Sequence, residues 1–153
     1  MSLKLRGQTS LELMFLFMVI VGGVLLVAKI YYPSDTGVSI TYQLKSAAQD
    51  ACTFLNEGVV VNDTVHAPLD RVIELNNYSS LNCAVSGVSV NTTSTSINAV
   101  VYITYSSRLN ATLVSGAVRD YLVARLSRVN GFALRNGVLY FRGYLVSLGV
   151  VVK

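Results

Sequence analysis

Hydrophobic positions along this chain change their period twice. From Leu13 to Ala28 they run unbroken: LMFLFMVIVGGVLLVA is sixteen residues without a charge. At about 1.5 Å per residue, a helix of that length covers about 24 Å. Ile30, Tyr31 and Tyr32 follow Lys29 and bring the stretch, taken as 11–32, near the ~20 residues that cross a bilayer. Lys29 can reach back to the headgroups, and the two tyrosines suit the interface. Pro33-Ser34-Asp35-Thr36-Gly37 is a breaker cluster that ends or kinks this first helix. Apolar residues then return at steps of three and four, as Ile40, Leu44, Ala47, Ala48, Ala51, Phe54 and Leu55. That spacing predicts a second helix over 38–57, with Gly58 on its C-cap side.

Beyond Gly58 the apolar runs shorten. Val59–Val61, Arg71–Leu75, Ala84–Val90 and Ile97–Tyr105 are rich in Val, Ile and Tyr, are parted by Asn, Ser and Thr, and read as strands. FALR, then Asn136-Gly137, then VLYF is the cleanest hairpin, because Asn-Gly supplies positive φ angles for a tight turn. Asn130-Gly131 is a second pair of that kind. Tyr144 to Val152 is long and apolar, and suits a central strand. Residues 119–129 read two ways: Val114, Val118, Tyr121, Leu122 and Leu126 fit a helix, but Arg125 and Arg128 interrupt its apolar face, and a strand is preferred. The expected fold class is therefore α+β. A long N-terminal hydrophobic helix, the spine of 8–57, precedes a β-sandwich head of roughly six to eight strands over 58–153.

Composition agrees with that division. Apolar residues make up 52% of the 153 and charged residues 13%, about half the usual share. The net charge of +4 is small, and the arginines are spread over the last third rather than gathered between aromatic platforms, which argues against nucleic acid as a partner. His66 is the only histidine, expected as an exposed loop side chain, and it cannot make a histidine metal cluster. The eight acidic residues are scattered, with no P-loop, dinucleotide fingerprint or nucleophile elbow. The pattern therefore speaks against an enzyme and implies no cofactor or metal.

The segment before the apolar run carries the chemistry. Met1 to Gly7 reads MSLKLRG, where Lys4 and Arg6 favour the cytoplasmic side and direct the rest of the chain outward. In an ordinary secretory signal the small-residue cleavage site follows the apolar region. Here the small residue near the basic leader is Gly7, ahead of it. A cut between Gly7 and Gln8 would leave the apolar helix on the product. Glu12 is a carboxylate at the edge of that helix, a costly position unless it stays at the interface, meets the helix N-terminus or finds a partner.

Arg6, Gly7, Gln8, Thr9, Ser10 and Glu12, followed by an apolar helix, resemble the class III signal peptide of archaeal type IV pilins. The resemblance covers the first twenty to thirty residues. It implies a leader of 1–7 removed by a membrane prepilin peptidase, and an immunoglobulin-like topology for the head. It also implies that Glu12 pairs with the new amine of a neighbouring subunit and sets register, with Phe15 and Phe17 packing against neighbouring helices. The implied partners are identical subunits in a helical homopolymer, a membrane platform protein and an assembly ATPase. The implied location is the cytoplasmic membrane before assembly, and afterwards an adhesive filament at the cell surface. A minor pilin, or a single-span membrane-anchored binding domain that never polymerises, is the alternative.

Export bears on two further features. Cys52 and Cys83 have no metal-ligand spacing, and in an exported domain the simplest reading of two cysteines is one disulfide, against two buried thiols. That bond would staple the second helix to the head. Asn62, Asn77, Asn91 and Asn110 each begin an Asn-X-Ser/Thr sequon in or beside an expected loop, where a glycan could be attached. The plainer reading is a polar, Thr-rich surface.

Overall fold

A computed structural model describes the backbone of residues 5–31 and 34–153, and the side chains of 11–28 and 37–153. The chain divides into two compact units, Met1–Val38 and Ser39–Lys153. In the first, helix α1 spans Leu5–Tyr31. Most of the expected leader (1–4), together with Tyr32 and Pro33, lies outside the described residues. The next helix, α2, spans Ser34–Glu57, so it begins four residues before the expected 38 and takes in Ser34 to Gly37 of the expected breaker cluster.

The Ser39–Lys153 unit is mixed α+β with one core. Ile40, Leu44, Ala47, Ala48, Ala51, Cys52 and Leu55 form a buried stripe down α2, spaced as one helical face requires. Gly58 ends the helix with φ +66°, its N–H bonding to the Phe54 carbonyl at 3.3 Å. A residue with a Cβ would be strained at that angle. Because the stripe of α2 belongs to this core, the folded head begins at Ser39 and includes most of the helix assigned to the spine.

Two segments expected as strands are helices. Helix α3, Ala67–Leu75, takes up Arg71–Leu75. Pro68 sits in its first turn, where a missing N–H costs nothing, and Leu69, Val72 and Ile73 face the core at helical spacing. Helix α4, Ala111–Leu126, covers most of 119–129 and buries Val114, Val118, Tyr121, Leu122 and Leu126. The arginines do not break that face. Arg125 lies beside the stripe with its head in solvent, and Arg128 comes after the helix ends. Asn110 starts α4 as its N-cap, its Oδ1 accepting the Thr112 N–H at 2.9 Å.

Val59–Val61 is neither helix nor strand. The Val61 and Asn62 N–H groups, which a strand would give to a neighbour, donate instead to the carboxylate of Asp70 at 3.3 Å each. Asp70 is the buried charged residue among those described, and these bonds offset its desolvation.

The strands are β1 (Ala84–Thr92), β2 (Ser96–Thr104), β3 (Phe132–Arg135), β4 (Val138–Phe141) and β5 (Tyr144–Val152). They form one open five-stranded sheet in the order β1-β2-β5-β4-β3, antiparallel except for β2 with β5. The described residues thus hold a single sheet of five strands, with α3 and α4 taking chain that a six-to-eight-stranded sandwich would need. The tail strand β5 is central, as its apolar run implies.

Register follows from burial. Ile97, Ala99, Val101 and Ile103 of β2 point into the core and pair with Val146, Leu148, Val150 and Val152 of β5. On β1 a bulge between Val85 and Gly87 keeps both Val85 and Val88 opposite those buried positions. Asn136-Gly137 closes the β3–β4 hairpin with φ of 51° and 79°. Arg142-Gly143, at 48° and 92°, closes a second two-residue hairpin onto β5 that arginine does not advertise.

Two glycines separate local strain from open space. A Cβ on Gly58 would lie 2.5 Å from the Tyr78 carbonyl oxygen, whereas one on Gly116 in α4 meets nothing within 4 Å. Gly58→Ala should cost about 2–3 kcal/mol. Gly116→Ala should stabilise by about 0.5–1 kcal/mol. Chemical denaturation of the full chain in lipid nanodiscs should move its midpoint in these opposite directions.

Candidate functional site

On α1, Leu11–Ala28 is an 18-residue window of mean hydropathy 2.6 with none of its residues buried. Among the described residues it is the helix long and apolar enough to cross a membrane. Phe15 is 71% exposed and Phe17 67%, and large side chains are bare all round the helix from Leu11 to Val27. A helix apolar on every side suits lipid or a bundle of other helices, and does not suit water. Glu12 lies exposed at the start of this window. Gly22 and Gly23 leave open surface, with nothing within 4 Å of a Cβ at either. The backbone of Gly7 and Gln8 is helical within α1, and their side chains lie outside the described residues.

In the Ser39–Lys153 unit, Cys52 and Cys83 form a disulfide with a Cα–Cα distance of 4.9 Å. It ties α2 to the residue that precedes β1. Asn56, one turn beyond Cys52, grips the same point. Its Oδ1 accepts the Cys83 N–H at 2.6 Å and its Nδ2 donates to the Cys83 carbonyl at 2.9 Å. Nothing in the local pattern marked Asn56, because its partner is 27 residues away.

The four sequon asparagines are all exposed, in different settings. Asn62 and Asn77 occupy positive-φ positions in connections. Asn91 lies near the end of β1. Asn110 already serves α4 through its Oδ1, which leaves its Nδ2 free of that bond.

A cleft of about 360 Å³ opens between α2, the 63–66 turn and α4. Asp50, Thr53, Phe54 and Glu57 line it from α2, Asp63, Val65 and His66 from the turn, and Tyr121, Arg125 and Arg128 from α4 and just beyond. His66, expected as an exposed loop residue, is instead half-buried. Its ring packs against Phe54 at 4.5 Å and Tyr121 at 5.3 Å between centroids. Its Nδ1 lies 2.7 Å from Asp63 Oδ2. Asp63 Oδ1 accepts the Val65 and His66 N–H groups, each at 2.7 Å, in a turn that delivers the chain to α3.

These bonds, first the His66 N–H and then its ring, hold the Asp63 carboxyl below the usual range. Burial pushes the Tyr121 phenol up, with the Asp50 charge adding and Arg125 opposing. Arg125 meets Asp50 only at 4.0 Å, and Arg128 donates to Thr64 Oγ1 at 3.0 Å. No group of three or more His, Cys, Asp or Glu among the described residues could hold a metal ion. No family model matches the chain, and neither a curated protein nor a solved structure matches it.

The disulfide closes a loop of sequence separation 31. Removing it, by reduction or by Cys52→Ala with Cys83→Ala, should cost about 3–4 kcal/mol. Non-reducing peptide mapping of the native protein should recover the Cys52–Cys83 linked pair. Asp63 gives a pH prediction. Its folded-state pKa lies below the ordinary 3.8, so its stabilisation is complete above that value and is lost as pH falls through the depressed one. A carboxyl ¹³C titration should place the Asp63 midpoint below 3.8. His66→Phe keeps the backbone donor and should restore only part of the shift.

Proposed function

We propose that this chain is a structural subunit of an archaeal type IV pilus-like surface filament, assembled through its N-terminal helix and used for adhesion. The observation that carries the reading is the bare apolar surface of Leu11–Ala28, with Glu12 as its only charge. In the membrane that surface faces lipid. In a filament it faces the same helix of other subunits, so one sequence serves both environments without refolding. Cleavage after Gly7 leaves a positive amine at Gln8, four residues before Glu12. A carboxylate pairing with a neighbour's amine offsets two desolvation costs and sets the axial offset between helices. Prepilin peptidase, platform protein and assembly ATPase are the partners this route requires, and glycans on exposed sequons would add a hydrated coat.

The second reading is a single-span anchor whose head binds without polymerising. It draws on the same helix, since an apolar surface all round is equally at home in lipid.

Two measurements separate them. N-terminal sequencing of the surface form should begin at Gln8, and a bulky residue at Gly7 should leave uncut precursor in the membrane. A product beginning at Met1, or after residue 28, contradicts the filament reading. Glu12→Gln should give a cleaved, membrane-resident subunit with at least tenfold fewer filaments by electron microscopy. A mere anchor would insert as well or better without the carboxylate, and normal filament number would show that the charge is dispensable.

A further inference from the structure

The cleft between α2 and α4 has no part in that assembly reading, and its chemistry is specific. At about 360 Å³ it falls in the ~300–1,000 Å³ range of small-ligand sites. Three carboxylates, Asp50, Glu57 and Asp63, face two guanidiniums, Arg125 and Arg128, around the rings of Phe54, His66 and Tyr121.

Several of these groups are not used by the fold. Glu57 has no hydrogen bond or ion pair from its carboxylate among the described residues. Arg128 spends one of its five N–H donors, on Thr64. Arg125 and Asp50 approach only to 4.0 Å, with both side chains about half exposed. Asp63 and His66, by contrast, are committed to each other and to the backbone, and they hold the ring cluster in place.

Ligand class is narrowed by what such a mixture rejects. An anion would meet three carboxylates, and a cation would meet two guanidiniums. A purely apolar ligand would strip water from charged groups without replacing its hydrogen bonds. A neutral polyol does neither harm. Each hydroxyl both accepts from a guanidinium and donates to a carboxylate, and charged partners make these bonds stronger than neutral ones. A C–H face of the same ring can lie on an aromatic side chain, and half-buried Phe54 supplies one. We infer that this cleft binds a neutral saccharide, its hydroxyls held between Glu57 and Asp50 on α2 and Arg125 and Arg128 on the α4 side. The site is complete within one chain and does not depend on polymerisation.

The test uses the full chain in lipid nanodiscs, since glycoside detergents would compete. Cellobiose, α-1,2-mannobiose and N,N′-diacetylchitobiose are the neutral probes, with glucuronate and glucosamine as charged counterparts. Saturation-transfer NMR and calorimetry should find at least one neutral disaccharide bound at about 1 mM or tighter, and weaker binding of both charged sugars. Glu57→Gln and Arg128→Ala should each weaken it by about tenfold, with unchanged circular dichroism and melting. Gly116→Ala, outside the cleft, should leave affinity unchanged. Absence of transfer from every neutral probe would overturn the assignment. So would a preference for glucuronate or glucosamine, or unaltered affinity in both cleft variants.

Discussion

Exposed apolar surface on the scale of α1 cannot be left in water. Burying one large aliphatic or aromatic side chain is worth about 1.5–3 kcal/mol, and Leu11–Ala28 presents more than a dozen of them bare. The sum is on the order of tens of kcal/mol, more than the net stability of most domains. That helix therefore needs lipid or other helices as its solvent. The need falls on a unit with no core of its own among the described residues, so whatever surrounds α1 completes it.

The same constraint shapes the head. A domain joined to such a helix gains by folding on its own resources, and the Ser39–Lys153 unit has a single core that runs through α2, α3, α4 and four of its five strands. Its weak points are secured by polar contacts: the Asp70 carboxylate holds the 61–62 backbone, Asn56 and the disulfide hold the start of β1, and Asp63 fixes the turn before α3. The Cys52–Cys83 bond reaches from α2 to the sheet, so it constrains the elements that a local helix–coil equilibrium would otherwise part. Reading the chain as spine and head misses this point, because one helix supplies both the link and the core stripe.

The cleft illustrates how tertiary packing makes chemistry from unremarkable residues. Asp50, Glu57, Asp63, His66, Arg125 and Arg128 are scattered over 79 positions of sequence, and no motif links them. Helical spacing puts Asp50 and Glu57 on one side of α2, and α4 with the residues just after it brings the two arginines opposite. A lone histidine beside Ala-Pro looks like loop decoration until Phe54 and Tyr121 close on it.

The sequence by itself determined what local periodicity and steric preference can encode. An unbroken apolar run defines α1, and three-and-four spacing defines α2 with its glycine stop. Asn-Gly specifies the β3–β4 turn, and a long Val-rich tail requires a central strand. In each the signal and its structural consequence lie within a few residues of one another. Tertiary structure decided the rest. Arg71–Leu75 and 119–129 have residues compatible with either state, and they became helices because α3 packs on α4 and α4 packs on β5. Val61 lost its strand because a carboxylate nine positions away took its N–H. Asn110 could be read as a sequon, yet it also caps a helix whose existence depends on packing. Such outcomes rest on partners distant in sequence, where no local pattern can reach.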